Sequence, residues 1–285
     1  MLHGLQALAE DPATKVILLV SKPPAPEVAQ AVLAAAEAST KPVVAIFLGA
    51  DPATITRGAV HGAGYLAQAA DFAVALALRM QPVPGALKVP QEMQYRLREM
   101  ARAMAPSQRF VRGVFSGGTF CFEAQLIHAA AGHKGCSNTP TAGFTTLPSL
   151  AHSEGHTIID MGDDAFTQGR PHPMIDPSLR DARLRQEVED ASTAVVLFDV
   201  VLGYGSSLDP IAGLLPAVGA ARAKSRAEGR SVVFIAHVCG TDADPQDRAA
   251  IVAALKSAGA LVATSNAEAA TWSAILLTER QGAAR

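Results

Sequence analysis

Ala194-Val195-Val196-Leu197-Phe198-Asp199-Val200-Val201-Leu202-Gly203-Tyr204-Gly205-Ser206-Ser207 decides the fold. An apolar, β-branched run without polar alternation reads as a strand buried on both faces. It stops at two glycines and two serines, and a helical stretch follows over residues 211–228. A strand that passes through a glycine-rich turn into a helix is the repeating unit of a parallel α/β sheet with right-handed crossovers.

The same unit recurs on both sides. Strands are expected at 110–115, 157–160, 232–237 and 261–264, with helices at 119–131, 178–190, 245–257 and 267–277. A separate series near the N-terminus has strands expected at 16–20, 42–47 and 72–77, between alanine-rich helical stretches at 27–37 and 63–70. Gln81-Pro82-Val83-Pro84-Gly85 interrupts regular structure between the two series, and a charged helix follows over 91–104. The expected fold is α/β, with two flavodoxin-like parallel-sheet modules at residues 1–80 and 109–285 joined by a helix-bearing linker at 81–108.

Composition narrows the function classes. A chain of 285 residues, 49% hydrophobic, is long enough for about two domains. Its 24 basic and 26 acidic residues give a net charge of −2, which offers no footprint for nucleic acid. The longest apolar runs fall well short of the roughly 18 residues that span a bilayer, and no basic region leads into an apolar core at the N-terminus. Three cysteines, Cys121, Cys136 and Cys239, lack metal-site spacing and suit free thiols in a cytoplasmic protein. Cys121 follows the glycine pair at 117–118, where a helix start would depress a thiol pKa. The histidines show no helical spacing of a zinc site, so no structural metal is expected.

In open α/β sheets ligands sit outside the carboxyl ends of the strands, so the turns there are the candidate sites. Lys22 stands in Ser21-Lys22-Pro23-Pro24-Ala25-Pro26, where a helix start and a mobile cation suit a phosphate, although the prolines serve equally to start the helix. Ser116, Gly117, Gly118 and Thr119 form a second strand-to-helix turn. Gly203, Gly205, Ser206 and Ser207 form a third, as readily a tight turn as a phosphate cradle. His237 ends an apolar strand at the same rim. The loop from Asp160 to Pro177 is dense in charge and in backbone-breaking residues: Pro171 and Pro173 stiffen the chain around His172, and Arg170 carries a fork suited to carboxylate or phosphate. Asp163 is a proton-transfer or orienting group for that loop, and its acids serve equally as helix caps. A transient magnesium ion would find oxygens at Asp163 and Asp164.

Three segments together carry a family resemblance. Asp160 to Pro177, Arg112-Gly113-Val114-Phe115-Ser116-Gly117-Gly118-Thr119-Phe120-Cys121-Phe122-Glu123-Ala124, and Phe198-Asp199-Val200-Val201-Leu202-Gly203-Tyr204-Gly205-Ser206-Ser207 resemble the FdrA family, in the expected order. That family is similar to the NDP-forming acyl-CoA synthetases, of which succinyl-CoA synthetase is the best-known member. The resemblance implies a succinyl-CoA synthetase α-like second domain at 1–80 and an FdrA or succinyl-CoA ligase-like C-terminal domain at 109–285. In those synthetases the corresponding helix ends point at a phosphohistidine. His61 is the matching candidate, because Gly58-Ala59-Val60-His61-Gly62-Ala63-Gly64 resembles the family's glycine-flanked histidine loop. Here Val60 precedes the histidine, and the glycine and alanine that follow are exchanged relative to the family's Gly-His-Ala-Gly-Ala.

The resemblance implies a cytoplasmic ligase subunit that handles a carboxylate and an acyl phosphate, with CoA and ATP or ADP supplied through domains or partner chains not seen here. The catalytic set is His61, Arg170, His172 and Asp163. The partners are a small anionic substrate and another subunit or a homo-oligomer, with no nucleic acid and no membrane. FdrA-like proteins are also associated with allantoin catabolism, so a carbamoyltransferase component acting on oxamate and carbamoyl phosphate is the alternative. A noncatalytic scaffold is the third reading.

Overall fold

The computed structural model describes residues 1–282, so residues 283–285 of the expected C-terminal domain lie outside the described residues. The chain divides into two compact units, 1–87 and 88–285.

The first unit runs α1 (Leu2–Glu10), β1 (Ile17–Ser21), α2 (Pro26–Glu37), β2 (Val43–Phe47), α3 (Pro52–Ile55), β3 (Val60–Gly62) and α4 (Leu66–Ala77). Its three strands are parallel, in the order β1-β2-β3. Ile17, Leu19, Val43, Ala45, Phe47 and Val60 face α1 and α2, where Leu5, Val32, Leu33 and Ala36 complete a buried cluster. The expected strand at 72–77 is instead the second half of α4, and the third strand is 60–62. Burial shows why: Gln68, Ala69 and Phe72 are buried whereas Val74 and Leu78 are exposed, the spacing of one helical face rather than of alternation along a strand.

The second unit begins with α5 (Gln91–Arg102). This charged helix of the expected linker buries Leu97 and Ala101 in the core of that unit. It continues β4 (Phe110–Phe115), α6 (Gly118–Ala130), β5 (Gly135–Ser137), β6 (Phe144–Thr146), β7 (His156–Asp160), α7 (Asp164–Thr167), α8 (Ser178–Glu189), β8 (Thr193–Val201), α9 (Leu214–Ala227), β9 (Val233–Cys239), α10 (Arg248–Ser257), β10 (Leu261–Ala263) and α11 (Asn266–Gly282). The seven strands are ordered β10-β9-β8-β4-β7-β5-β6 and all pair in parallel. Without β5 and β6, which extend one edge, this is the doubly wound flavodoxin order. Side chains alternate between two cores: Val195, Leu197, Val233 and Ile235 pack toward α5, α6 and α11, and Val196, Phe198, Phe234 and Ala236 toward α8, α9 and α10.

The topology fixes where to look for a site. The chain reverses its direction of winding between β4 and β8, and the crevice outside the C-terminal ends of those two neighbours is the topological switch point.

Candidate functional site at the switch point

Asp199 lies on β8 at this crevice. Its carboxylate accepts hydrogen bonds from the backbone N–H of Ser116 (2.7 Å) and of Gly117 (2.9 Å), at the start of α6. The two amides expected to face a phosphate therefore donate to the chain's own acid. Burial is the first cause of its titration behaviour: the Asp199 carboxyl is pushed up to about 6, against the two amides and the nearby Arg180 charge, which favour its ionised form, while Asp160 adds to the rise. The adjacent Ser116 hydroxyl is buried and has no hydrogen-bond partner. Gly118 and Thr119, the first two residues of α6, are half-buried.

Asp160 ends β7 beside this acid and accepts a hydrogen bond from Gly162 N. The loop that follows folds back over the crevice. A Cβ at Gly162 would lie 2.4 Å from His172 Nε2 and 2.8 Å from the Ser116 carbonyl oxygen, so only glycine admits the imidazole there. His172 Nδ1 accepts from Met174 N (3.2 Å), which places a neutral ring's proton on Nε2. Met174 O in turn accepts from Ser207 N (2.8 Å). Gln246, buried just before α10, accepts from Gly203 N and donates to the carbonyls of Gly203 and Ser207. The three segments singled out in the sequence thus meet at one rim, through Asp199, Gly162, His172, Met174 and Gln246.

The other expected residues are placed as follows. His237 neighbours Asp199 across the β8–β9 pair and packs edge-on against Phe120 of α6. Its Nδ1 is buried without a partner, and burial lowers its pKa. Asp163 caps α7 by accepting from Ala165 N. Arg170 is exposed, and among the described residues its guanidinium makes no hydrogen bond or ion pair. Gly205 and Ser206 lie in the turn closed by Ser206 N on Gly203 O, and Tyr204, between Gly203 and Gly205, is 87% exposed. Helix α9 starts at Leu214, later than expected, so this turn is not itself the helix start.

In the first unit Lys22 is exposed beyond β1, and α2 begins at Pro26 with no side-chain cap. His61 lies on β3 rather than in a loop, half-buried beside Val44 of β2, and no carboxylate is hydrogen-bonded to it among the described residues. Cys121 sits a turn inside α6, fully buried. Burial, followed by the charge of Asp160, pushes its thiol up to about 12, so the helix start does not activate it.

Sequence reading missed two residues of the site. Asp199 had a visible signal, a lone acid inside an apolar strand. Arg180 had none beyond its spacing in a charged helix. It is 1% exposed, pairs with Asp181 (2.9 Å), and donates to the carbonyl oxygens of Pro210 (2.8 Å) and Asp199 (3.4 Å), tying α8 to the end of β8. No group of three or more His, Cys, Asp or Glu side chains that could hold a metal ion occurs among the described residues, and none of their helices is long and apolar enough to cross a membrane.

Asp199→Ala should expose the Ser116 and Gly117 amides in a buried space about the size of a carboxylate. Two orphaned donors cost about 1–3 kcal/mol each, partly offset by relief of the buried charge. The variant is expected to melt lower and to be raised specifically by formate, with no such effect in the wild type. Melting curves with formate against chloride at matched ionic strength test this, and equal responses of the two proteins would refute it.

Comparison with known proteins adds the following. The family model described as CoA-ligase matches residues 114–276. An Escherichia coli (strain K12) protein described as "Uncharacterized protein YahF" is 36% identical over 266 residues, covering 93% of this chain. The chain spans about half (51%) of the length of that curated relative. Among solved structures, the apo form of a Ca. Korarchaeum cryptofilum dinucleotide forming acetyl-coenzyme A synthetase 1 is similar over 100% of this chain and 57% of its own, with 13% identity and a TM-score of 0.44. The same enzyme in complex with phosphate and ADP is similar over 99% and 56%, with 13% identity and a TM-score of 0.40.

Proposed function

Because this chain belongs to the CoA-ligase family, we propose that it is a subunit of an FdrA-type, NDP-forming acyl-CoA synthetase-like enzyme that handles a carboxylate and its acyl phosphate. The observation that carries this reading is the convergence of the segments at 116–119, 160–177 and 203–207 on the switch-point crevice. Residues 1–80 and 109–285 then correspond to the α-like second domain and the ligase-like C-terminal domain.

The roles follow from what each side chain has free. Arg170 offers an unpaired guanidinium to the anionic substrate, and a planar fork suits carboxylate or phosphate bidentately. His172 holds an Nε2 proton against the rim at Gly162, where it can donate to an oxygen or pass a proton. Asp163 orients the loop by capping α7. Asp199 occupies the start of α6, so the phosphates of CoA and of ATP or ADP are not assigned to that helix end. Those groups would come through a partner chain or a further domain, in keeping with a cytoplasmic, multisubunit enzyme. His61 is the phosphoryl carrier, and its orienting carboxylate would come from the assembled enzyme.

The test uses the protein with its co-purifying partners, supplied either with ATP, CoA and succinate or with carbamoyl phosphate and oxamate. Acyl-CoA formation, acid-labile phosphate on the wild type and its loss in His61→Ala, with turnover falling by about 10³-fold or more for a lost nucleophile, are the expected results. Turnover of oxamate that persists in His61→Ala would replace this reading with carbamoyl transfer. Unchanged activity in Arg170→Ala and His172→Ala would leave a scaffold.

A further inference from the structure

A cavity of about 430 Å³ opens at the other end of the second unit's sheet, by the first residues of β10 rather than the C-terminal rim. Met93 and Arg96 of α5, Lys256 of α10, Leu261 and Val262 of β10, and Trp272 of α11 line it. Its chemistry is two-sided. Met93, Leu261, Val262 and the indole supply apolar walls, and Arg96 and Lys256 supply charge at exposed positions.

Neither cation is used elsewhere. On α5, Arg98 pairs with Glu279 and Arg102 with Glu99, but Arg96 has no ion pair or side-chain hydrogen bond among the described residues, and neither has Lys256. Trp272 is 6% exposed, and its Nε1–H is buried with no acceptor. The indole is therefore held by packing rather than by a hydrogen bond, and it serves the cavity as an apolar wall. Apolar walls with a few polar groups, at a volume in the lower part of the usual range, describe a small-molecule site.

We propose that this cavity binds an amphiphilic monocarboxylate of about ten heavy atoms, with its apolar body against Met93, Leu261, Val262 and Trp272 and its carboxylate on Arg96 and Lys256. The site is independent of the switch-point reading, since it shares no residue with that rim.

Trp272 is the chain's one tryptophan, so intrinsic fluorescence reports on the cavity wall directly. Octanoate titrated into the full chain at pH 7.5 should give a saturable change in tryptophan emission. Inorganic phosphate, which lacks the apolar body, and 1-octanol, which lacks the charge, should each bind about tenfold or more weakly. Arg96→Gln with Lys256→Gln should weaken octanoate by a similar factor, and Arg96→Glu by more. Both positions are exposed, so the variants should fold as the wild type does, which circular dichroism checks. A non-saturating response, equal responses to octanoate and octanol, or unchanged octanoate affinity in both variants would overturn the proposal.

Discussion

Arg180→Ala is expected to destabilise the second unit by about 3–5 kcal/mol, the usual cost of removing one partner from a buried ion pair. For a unit of this size that is a fall of roughly 10 °C in melting temperature. The guanidinium is fully buried, so its removal strands the Asp181 carboxylate and deprives the carbonyl oxygens of Asp199 and Pro210 of their donor. Burial already raises the Asp181 pKa against the opposing pull of Arg180, so loss of the arginine should drive that acid toward its neutral form. Arg180→Met with Asp181→Leu, which removes both charges and keeps much of the volume, should recover a large part of the loss. Calorimetry of the three proteins decides the matter. A single variant within about 1 kcal/mol of the wild type, the ordinary range for an exposed residue, would show that the pair is solvated in solution.

Acid lability is the second large effect. His128, His133 and His156 form a stack of rings, with centroids 5.6 Å and 5.3 Å apart, between α6, the turn after it and β7. Phe110 of β4 closes the stack edge-on against His156. Both nitrogens of His128 are buried without partners, and burial, followed by the charges of His133 and His156, holds its pKa well below the usual value. Burial, then His133 and Arg112, lowers His156 to about 4. The unfolded chain binds protons on His128 and His156 below about pH 6.5, where these two rings stay neutral in the folded chain until a lower pH, so stability falls as the pH drops through that point. His156 alone accounts for about 3 kcal/mol by pH 4.

Asp199 works in the opposite sense. Its raised value means the folded state holds a proton that the unfolded state releases between about pH 6 and 4, a gain of about 3 kcal/mol on acidification. The two contributions nearly cancel, and His128 and His237, both lowered, tip the balance toward acid unfolding. Urea midpoints at pH 7.5 and pH 5 should therefore differ in favour of pH 7.5. His128→Leu should narrow the gap, and it should lose little at pH 7.5 because an apolar side chain of similar size replaces an unpaired polar one. A gap unchanged by His128→Leu would assign the acid sensitivity to other groups.

The second unit was legible because its central strands are uninterrupted β-branched runs and its helices follow glycine or proline turns. Even the register between β4 and β8 brought the expected motifs to one rim. The short edge strands β5 and β6 were not legible, because three residues each carry no periodicity. The strand expected at 72–77 failed because Phe72, Val74 and Leu76 alternate like a strand while the alanines among them favour a helix, and packing on β1 and β2 settled the outcome. At the rim, the loops could be named from composition alone. That Asp199 fills the start of α6, and that Arg180 is a buried clamp rather than a surface charge, depends on partners 83 and 30 residues away in the chain.

The stitching of the rim loops has a kinetic side. Met174 is tied to Ser207, and Ser207 and Gly203 are tied to Gln246, so the two loops share a set of hydrogen bonds that must break together. Neither loop tip can bend away on its own while those bonds hold. Opening of this rim is a collective event of both loops, and on the proposed reading that would lengthen the residence of an acyl phosphate held there and shield its hydrolysable bond without adding a single contact to the molecule itself.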